Sequence, residues 1–302
     1  MYLLSLKKIF TGFFMVNLAK TAGFCFGVRN ALNVVESLLE AGFSVCTLGY
    51  IIHSPQVVDL LKKRGVRVVD SVLEVRNGEV LVIRSHGVGL EVYSAIKEIG
   101  LQFKDATCPF VRRIQKEVFK EYRNGRKILI AGNANHPEVK GILGYCQNEA
   151  FVFSSLAELK MLFVGNSCLK KEPVFLAAQT TFNIKVWESG VSFLKDVCGC
   201  ENISLFCSIC SATVNRQNEA ILLSKSNDVV FVVGGRGSSN TRKIYELCAE
   251  NCETFFVESL KDLENLNLNL KGKAVGLTAG ASTPDFLIEE VYNKVLDICN
   301  GD

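Results

Sequence analysis

The sequence predicts an α/β protein built from three similar lobes with mainly parallel sheets. Short β-branched runs alternate with longer amphipathic runs along the 302 residues, an order typical of βαβ units. Some short runs, such as Val229–Val233, are apolar throughout, as expected of strands that helices cover on both faces. In addition, each third of the chain has one cysteine where a strand pattern gives way to a helix pattern.

The predicted elements follow one another at short intervals. After an apolar run from Val16 to Thr21, the predicted strands are Phe43–Leu48, Val66–Val69, Glu79–Arg84, Leu101–Ala106, Lys127–Ala131, Val174–Gln179, Asp228–Val233, Glu253–Val257 and Lys273–Leu277. The predicted helices between them are Arg29–Ala41, Pro55–Arg64, Leu90–Ile99, Phe110–Arg123, Glu138–Gly144, Ala212–Ser226, Asn240–Asn251 and Pro284–Cys299. We assign 1–26 to an N-terminal extension with the first strand, and 27–108, 109–209 and 210–302 to the three lobes.

The bulk composition is that of an ordinary globular protein. A net charge of +3 is too small to indicate nucleic-acid binding, and no apolar run approaches the ~20 residues of a membrane span. The N-terminal run has Lys7 and Lys8 in its middle and resembles no secretory signal. Without export, the twelve cysteines are expected to be reduced thiols or metal ligands. We therefore predict a cytoplasmic protein, in which Met1–Phe14 are dispensable.

Three cysteines share one sequence context. Cys25, Cys108 and Cys210 each lie near a predicted helix start, where backbone N–H groups and the positive helix end favour the thiolate. The alternative is that they are small buried apolar residues, as free cysteines usually are. That role is expected of five others, which lie in ordinary apolar patterns: Cys46, Cys146, Cys248, Cys252 and Cys299. The repeated context favours three lobes that bring one thiolate each to a common site.

Further polar residues follow the predicted strands, where ligands bind in parallel α/β sheets. His53, His86 and His136 are the only histidines, and all three lie at such points. They are candidates for phosphate binding or proton relay, although each alone would pass for a solvated loop residue. Glu138 is either a helix cap or a general acid beside His136. Gln179-Thr180-Thr181 ends another predicted strand, and Thr180 or Thr181 could cap the following helix.

Two glycine-rich loops close the set of candidates. Gly234–Asn240 follows the most apolar strand and opens a helix, and Thr278–Asp285 repeats this arrangement after the last strand. Glycines, hydroxyls and a helix N-terminus together are typical of an anion site. The first loop is not the phosphate loop of nucleotide hydrolases, because no Lys-Ser/Thr pair follows it.

Taken in order, these motifs resemble the 4-hydroxy-3-methylbut-2-enyl diphosphate reductase family from about Met15 onward. The motifs that carry the resemblance are Gly23-Phe24-Cys25-x-Gly27-Val28, Ser85-His86-Gly87-Val88, Ala106-Thr107-Cys108-Pro109, His136-Pro137-Glu138-Val139-x-Gly141, Gln179-Thr180-Thr181, Cys210-x-Ala212-Thr213-x-Asn215-Arg216-Gln217, Ser238-Ser239-Asn240 and Thr278-Ala279-Gly280-Ala281-Ser282. One departure is Asn133, which stands where many members have an additional histidine, and the segment before Met15 has no counterpart.

The resemblance implies a trefoil of three α/β lobes around a central [4Fe–4S] cluster. By resemblance, Cys25, Cys108 and Cys210 hold the cluster, whose fourth iron is left open to bind the substrate hydroxyl. Two electrons and protons then expel water and give isopentenyl or dimethylallyl diphosphate. Its implied diphosphate ligands are His53, His86, Ser238, Ser239, Asn240 and Ser282. The implied proton source of the reaction is Glu138, with His136 and Thr180 around the hydroxymethyl group of the substrate.

The resemblance also implies an external one-electron donor of the ferredoxin or flavodoxin type. The small net charge and the short apolar runs predict neither a nucleic-acid nor a membrane partner. Two readings from other classes remain open. The cysteines Cys198, Cys200, Cys207 and Cys210 could form a zinc site in a binding module. Alternatively, the chain could be a cluster-free binder or transferase for a sugar phosphate, with inert buried cysteines. The zinc reading leaves the histidines and the glycine-serine loops unexplained.

Overall fold

Three four-stranded sheets, all parallel, organise the chain in the computed structural model, which describes residues 16–166, 169, 171–198, 202–266 and 268–301. The proposal that Met1–Phe14 are dispensable falls outside these residues and stays a prediction. No helix of the described part is long and apolar enough to cross a membrane.

The first sheet has the strand order β3-β2-β4-β5. Its strands are β2 (Ser44–Leu48), β3 (Arg67–Val69), β4 (Glu79–Ile83) and β5 (Phe103–Asp105). The helices of this part of the chain are α1 (Phe26–Glu40), α2 (Pro55–Lys63) and α3 (Leu90–Ile99), with a 3-10 turn at Val72–Glu74.

The second sheet repeats this order as β7-β6-β8-β9. Its strands are β6 (Lys127–Ala131), β7 (Phe151–Phe153), β8 (Val174–Ala178) and β9 (Ile203–Phe206). The accompanying helices are α4 (Pro109–Arg123), α5 (Pro137–Leu143), α6 (Leu156–Gly165) and α7 (Ile184–Cys198).

The third sheet has the same order, β11-β10-β12-β1, but takes its edge strand from the other end of the chain. Its strands are β10 (Val229–Val233), β11 (Glu253–Val257), β12 (Val275–Ala279) and the N-terminal β1 (Val16–Leu18). The helices are α8 (Ser211–Lys225), α9 (Ser239–Ala249), α10 (Leu260–Glu264) and α11 (Asp285–Asn300). Strand β1 therefore occupies the place that β5 and β9 hold in the first two sheets.

Each sheet is covered on both faces. The side chains of successive strand residues point to opposite faces, and the buried residues of each sheet fall into two apolar clusters, one on either side. In β10, for example, Phe231 packs with α11 residues such as Val291, whereas Val230 and Val232 pack with Ile244 of α9. This arrangement explains why the central strands are apolar throughout, and it confirms the predicted α/β class with three parallel-sheet lobes.

The differences from the predicted elements have local causes. Strands β7 and β9 were not predicted, although β3 and β5, which are as short as β7, were. Helix α6 was missed because it is apolar on its outer face too, where Met161 and Val164 are exposed; α7 and α10 were missed as well. Strand β12 runs two residues further than predicted, to Ala279. The proposed lobe boundaries stay a prediction.

Candidate active site

One cavity lies beyond the carboxyl ends of the strands, and its volume is about 720 Å³ including the part open to solvent. It is lined by every residue that the sequence singled out for a site, namely Cys25, His53, His86, Cys108, His136, Glu138, Thr180, Cys210, Ser238, Ser239, Asn240 and Ser282. Residues from all three lobes thus meet at one place.

The three cysteines occupy equivalent positions at the cavity. Cys25, Cys108 and Cys210 are the N-cap residues of α1, α4 and α8, and none of their side chains caps its helix. The backbone N–H of each donates to a carbonyl two residues beyond the end of β12, β4 or β8, at distances of 2.9 to 3.0 Å; the acceptors are Ala281, Ser85 and Thr180. The same hydrogen bond, made three times, therefore fixes each thiol at a helix start.

Gly27 shows how closely α1 and α4 approach. A Cβ atom at this position would lie 2.7 Å from Sγ of Cys108 and 4.0 Å from Sγ of Cys25. The first distance is shorter than any van der Waals contact, so a larger residue would displace the Cys108 thiol. The glycine of the Cys-x-Gly motif is thus required by the meeting of two of the three cysteines.

The expectation that a helix start lowers the thiol pKa is wrong for Cys108. Burial raises the pKa of its thiol to about 11, and the neighbouring Cys25 and Cys210 act in the same direction. Backbone N–H groups of Phe110 and Val111 lower this pKa, but by less. Desolvation of the charged form outweighs the helix end here.

The three histidines form a triangle at the cavity. Their ring centroids lie 4.7 Å apart for His53–His86, 5.3 Å for His86–His136 and 5.5 Å for His53–His136. Burial lowers the pKa of all three, that of His136 to about 4, and the Arg84 guanidinium contributes to each shift. All three are therefore neutral at pH 7, and their ligand atoms lie within 4.8 Å of one another.

Several polar atoms at the cavity are buried without a hydrogen-bond partner. They include Nε2 of His53, Nδ1 of His86 and both side-chain polar atoms of Asn240, a residue only 4% exposed. Unsatisfied buried polar groups are costly and rare in folded proteins. Because these atoms all belong to residues that line one cavity, they fit a polar ligand that would satisfy them together.

His53, His136 and Ser238 also occupy equivalent places in the three lobes. Each lies four residues after a glycine that directly follows β2, β6 or β10. The backbone N–H groups of these glycines, Gly49, Gly132 and Gly234, donate to the carbonyl oxygens of the last residues of β3, β7 and β11. Ser238 caps α9 by accepting from the N–H of Thr241 at 3.3 Å. Ser239 accepts from the Thr181 hydroxyl at 3.1 Å, and Ser282 is 8% exposed.

The glycines before Ser238 have a packing role that the sequence did not reveal. A Cβ at Gly235 would lie 2.6 Å from the carbonyl oxygen of His53. This glycine therefore lets the third lobe approach the first, while the Ser238–Asn240 segment lines the cavity.

Glu138 is a buried carboxyl group, only 2% exposed. It accepts hydrogen bonds from the Thr180 backbone N–H at 2.6 Å and from the Thr180 hydroxyl at 2.7 Å. Burial raises its pKa to about 7, although both bonds from Thr180 lower it. The residue that caps α5 is His136, whose Nδ1 accepts from the Glu138 backbone N–H at 3.1 Å. Glu138 is thus free of a capping role and can hold a proton near neutral pH.

Two arginines at the site were missed by sequence reasoning. Arg216, 6% exposed, lines the cavity and donates from Nη2 to the Gly23 carbonyl at 2.5 Å. The thiols Cys25 and Cys210 are close enough to raise its pKa, although burial lowers it more. Arg84 lies near the three histidines, and its positive charge lowers the pKa of each. In the sequence, Arg216 belongs to the motif that begins at Cys210, and Arg84 directly precedes the motif that contains His86. Neither motif indicated a role for its arginine.

The remaining cysteines divide as follows. Cys46, Cys146, Cys248 and Cys299 are buried, as predicted, and Cys252 is half-buried. Cys207 is exposed and does not line the cavity. Cys200 lies outside the described residues, and the Cys198 side chain is not described, so the proposed zinc site of the alternative reading is represented here only by Cys207 and Cys210.

Comparison with known proteins decides the family. Residues 16–296 match the sequence profile of the LytB protein family. The chain belongs to the LytB family. Two bacterial relatives are named 4-hydroxy-3-methylbut-2-enyl diphosphate reductase: one from Thermoanaerobacter sp. (strain X514), 40% identical, covering 92% of this chain and 95% of its own, and one from Clostridium perfringens (strain 13 / Type A), 39% identical, covering 94% and 99%.

Solved structures give the same result for this LytB family chain. A structure of (E)-4-hydroxy-3-methyl-but-2-enyl diphosphate reductase, the terminal enzyme of the non-mevalonate pathway, is 35% identical with a TM-score of 0.66, covering 94% of this chain and 99% of its own. The E-1-hydroxy-2-methyl-but-2-enyl-4-diphosphate reductase of Plasmodium falciparum is 26% identical with a TM-score of 0.84, covering 93% and 88%. These similarities confirm the family that the motifs indicated.

Proposed function

We propose that the protein reduces 4-hydroxy-3-methylbut-2-enyl diphosphate to isopentenyl and dimethylallyl diphosphate. The observation that carries the proposal is the single cavity that joins three thiols, unsatisfied polar groups and a buried carboxyl group with a pKa of about 7. The overall change consumes two electrons and two protons and releases the substrate hydroxyl as water. The names of the relatives support the same reaction.

The three thiols fit a [4Fe–4S] cluster with one cysteine per lobe. They lie at equivalent helix starts, their side chains cap nothing, and Gly27 leaves the space that two of them need. With Cys25, Cys108 and Cys210 as its protein ligands, such a cluster would have one iron without a protein ligand and would supply a Lewis acid and a store of electrons. Arg216 would partly balance the negative charge that metal binding places on Cys25 and Cys210.

The polar side of the cavity would bind the diphosphate. Its phosphate oxygens can accept from one nitrogen of each neutral imidazole and from Nδ2 of Asn240. For His136 that donor is Nε2–H, since its Nδ1 already accepts a bond. Hydroxyl groups of Ser238, Ser239 and Ser282 complete the set at the same cavity. The positive charge of Arg84, felt by all three imidazoles, adds attraction for an anion.

Glu138 would hold and deliver a proton to the leaving hydroxyl. A carboxyl group with a pKa of about 7 is partly protonated at neutral pH, which is the range in which general acids work best. Thr180 orients it through two hydrogen bonds. An external one-electron carrier is proposed to supply the electrons, and a cytoplasmic location stays a prediction.

The proposal is tested first by anaerobic purification and an absorption spectrum. A [4Fe–4S] protein is brown, whereas a zinc module and a cluster-free sugar-phosphate binder are colourless. Serine variants then assign the ligands: iron and sulfide should be lost from Cys25→Ser, Cys108→Ser and Cys210→Ser and retained in Cys207→Ser, with Cys198→Ser and Cys200→Ser as further controls. Loss of the cluster in Cys207→Ser with retention in Cys210→Ser would overturn the assignment.

A further inference from the structure

The three cysteine-capped helices are equivalent in position but not in charge. Helix α4 has five basic and two acidic residues, a net charge of +3. Helix α1 has one basic residue and two acidic ones. Helix α8 has two basic residues and one acidic one, but its Arg216 is buried. The positive charge is thus concentrated on the outer face of the one helix that begins at Cys108.

This outer face combines exposed cations with exposed aromatic rings. Phe110 is 42% exposed and Phe119 41% exposed. Arg112 pairs with Asp105 at 2.8 Å, whereas Arg113 and Lys116 form no ion pair within the described residues. The Arg113 guanidinium instead lies 5.1 Å from the ring centroid of Phe206, at the end of β9. Two cations therefore remain available for a partner.

The same face adjoins the thiols. Phe110 comes two residues after Cys108 and lines the cavity itself. Phe26, which follows Cys25 directly, is 65% exposed, and the contact of Gly27 with Cys108 brings its helix start to that of α4. A protein bound here would approach two of the three thiols, whereas the histidines and Ser238–Asn240 would be occupied by substrate.

We propose that Phe26, Phe110, Arg112, Arg113 and Lys116, here called the α4 face, dock a small acidic protein that carries single electrons. The inference rests on the proposed function, which needs an electron source. An apolar aromatic centre with a charged rim is typical of transient interfaces, and a positive rim selects a negative partner and speeds its association. In a second copy of this chain the acidic helix is α11, with four acidic residues and one basic residue, and the binding test below distinguishes that occupant from an electron carrier.

The test uses the cluster-loaded enzyme with Arg113→Glu/Lys116→Glu, and Lys225→Glu as the matched control at the far end of α8, where the lysine is exposed. With reduced flavodoxin as the electron source, the double variant should show a KM for flavodoxin raised about tenfold or more, because its new negative charges repel the acidic carrier and slow association. Added salt should shrink the difference. With reduced methyl viologen, both variants should match the parent enzyme.

Direct binding of oxidised flavodoxin, measured without turnover, separates this proposal from the proposed function. If the double variant loses flavodoxin binding while the parent and Lys225→Glu keep it, the docking surface is supported, even if the parent enzyme fails to reduce the diphosphate. Equal flavodoxin binding by parent and double variant overturns the α4 face. It is also overturned if the double variant loses affinity only for anionic vesicles, for RNA or for a second copy of the chain.

Discussion

The histidine side and the glutamate side of the cavity are both buried, but their polar atoms are satisfied differently. At the histidine side, His53, His86 and Asn240 leave polar atoms without partners. At the glutamate side, both carboxylate oxygens of Glu138 accept a bond from Thr180. Burial also moves the pKa values in opposite directions, down for the imidazoles and up for the carboxyl group.

This difference indicates which groups have hydrogen-bonding capacity left for a ligand and which are already held in place by the protein. Unpaired donors and acceptors gain most when an anion arrives, because they are already desolvated. A carboxyl group that is held in place within the protein can transfer a proton without first being ordered by the substrate. We therefore propose that the histidine side binds the diphosphate and that the glutamate side transfers the proton.

The largest effect is expected from Glu138→Gln, which separates the two sides. The amide keeps the shape and one of the two acceptor oxygens but carries no transferable proton, so turnover should fall by ~10²–10⁴. Cluster content and substrate affinity should be unchanged, because the diphosphate contacts lie elsewhere. Single-turnover rates with excess reductant and iron analysis measure both. If the variant reacts at near the parent rate, the proton comes from another group.

A smaller effect, confined to binding, is expected from Asn240→Ala. Loss of a hydrogen bond to a charged ligand costs ~1.5–3 kcal/mol, equivalent to a Kd raised roughly 10- to 150-fold. Asn218→Ala, on the exposed surface of α8, is the control and should leave Kd unchanged. Calorimetric titration of the substrate into the cluster-loaded protein, without added reductant, measures this Kd. Unaltered affinity in Asn240→Ala would mean that its polar atoms serve only the fold.

The pH dependence of turnover should reflect the glutamate side. Since only the protonated acid donates, kcat should decrease as the pH rises through about 7, the pKa of Glu138. Thr180→Val removes a hydrogen bond that lowers this pKa, so its decrease in kcat should begin at higher pH. A kcat profile from pH 6 to 9, with Thr181→Val as control, checks the shift. If Thr180→Val has the same profile as the parent enzyme, the decrease in kcat with pH does not come from Glu138.

The smallest effect concerns stability, where the two sides respond to opposite pH changes. The folded pKa of Glu138 is raised, so its contribution is present at low pH and is lost as the pH rises through about 7. The folded pKa of His136 is lowered, so its contribution is present above its ordinary value and is lost as the pH falls towards about 4. In melting curves, Glu138→Gln should flatten only the alkaline decline, and a flattened acid decline would contradict this.

The sequence predicted the site more completely than the fold that builds it. Cysteines, histidines and glycine-rich loops occur at strand ends, and parallel sheets bring strand ends together, so the candidates could be named without coordinates. The pairing of β1 with β12 could not, because three residues carry no signal for a partner more than 250 positions away. Arg84 and Arg216 were missed since only burial distinguishes them from surface arginines.

Strand β1 also determines when the enzyme can be completed during its synthesis on the ribosome. Chains fold from the N-terminus as they emerge, yet β1 pairs with β12, which is translated more than 250 residues later. The N–H of Cys25 likewise waits for the Ala281 carbonyl. The cysteine that is made first is therefore positioned last. A nascent chain that ends before β12 would hold at most two of the three thiols in place, and we expect binding of the proposed cluster to begin only after β12 has emerged.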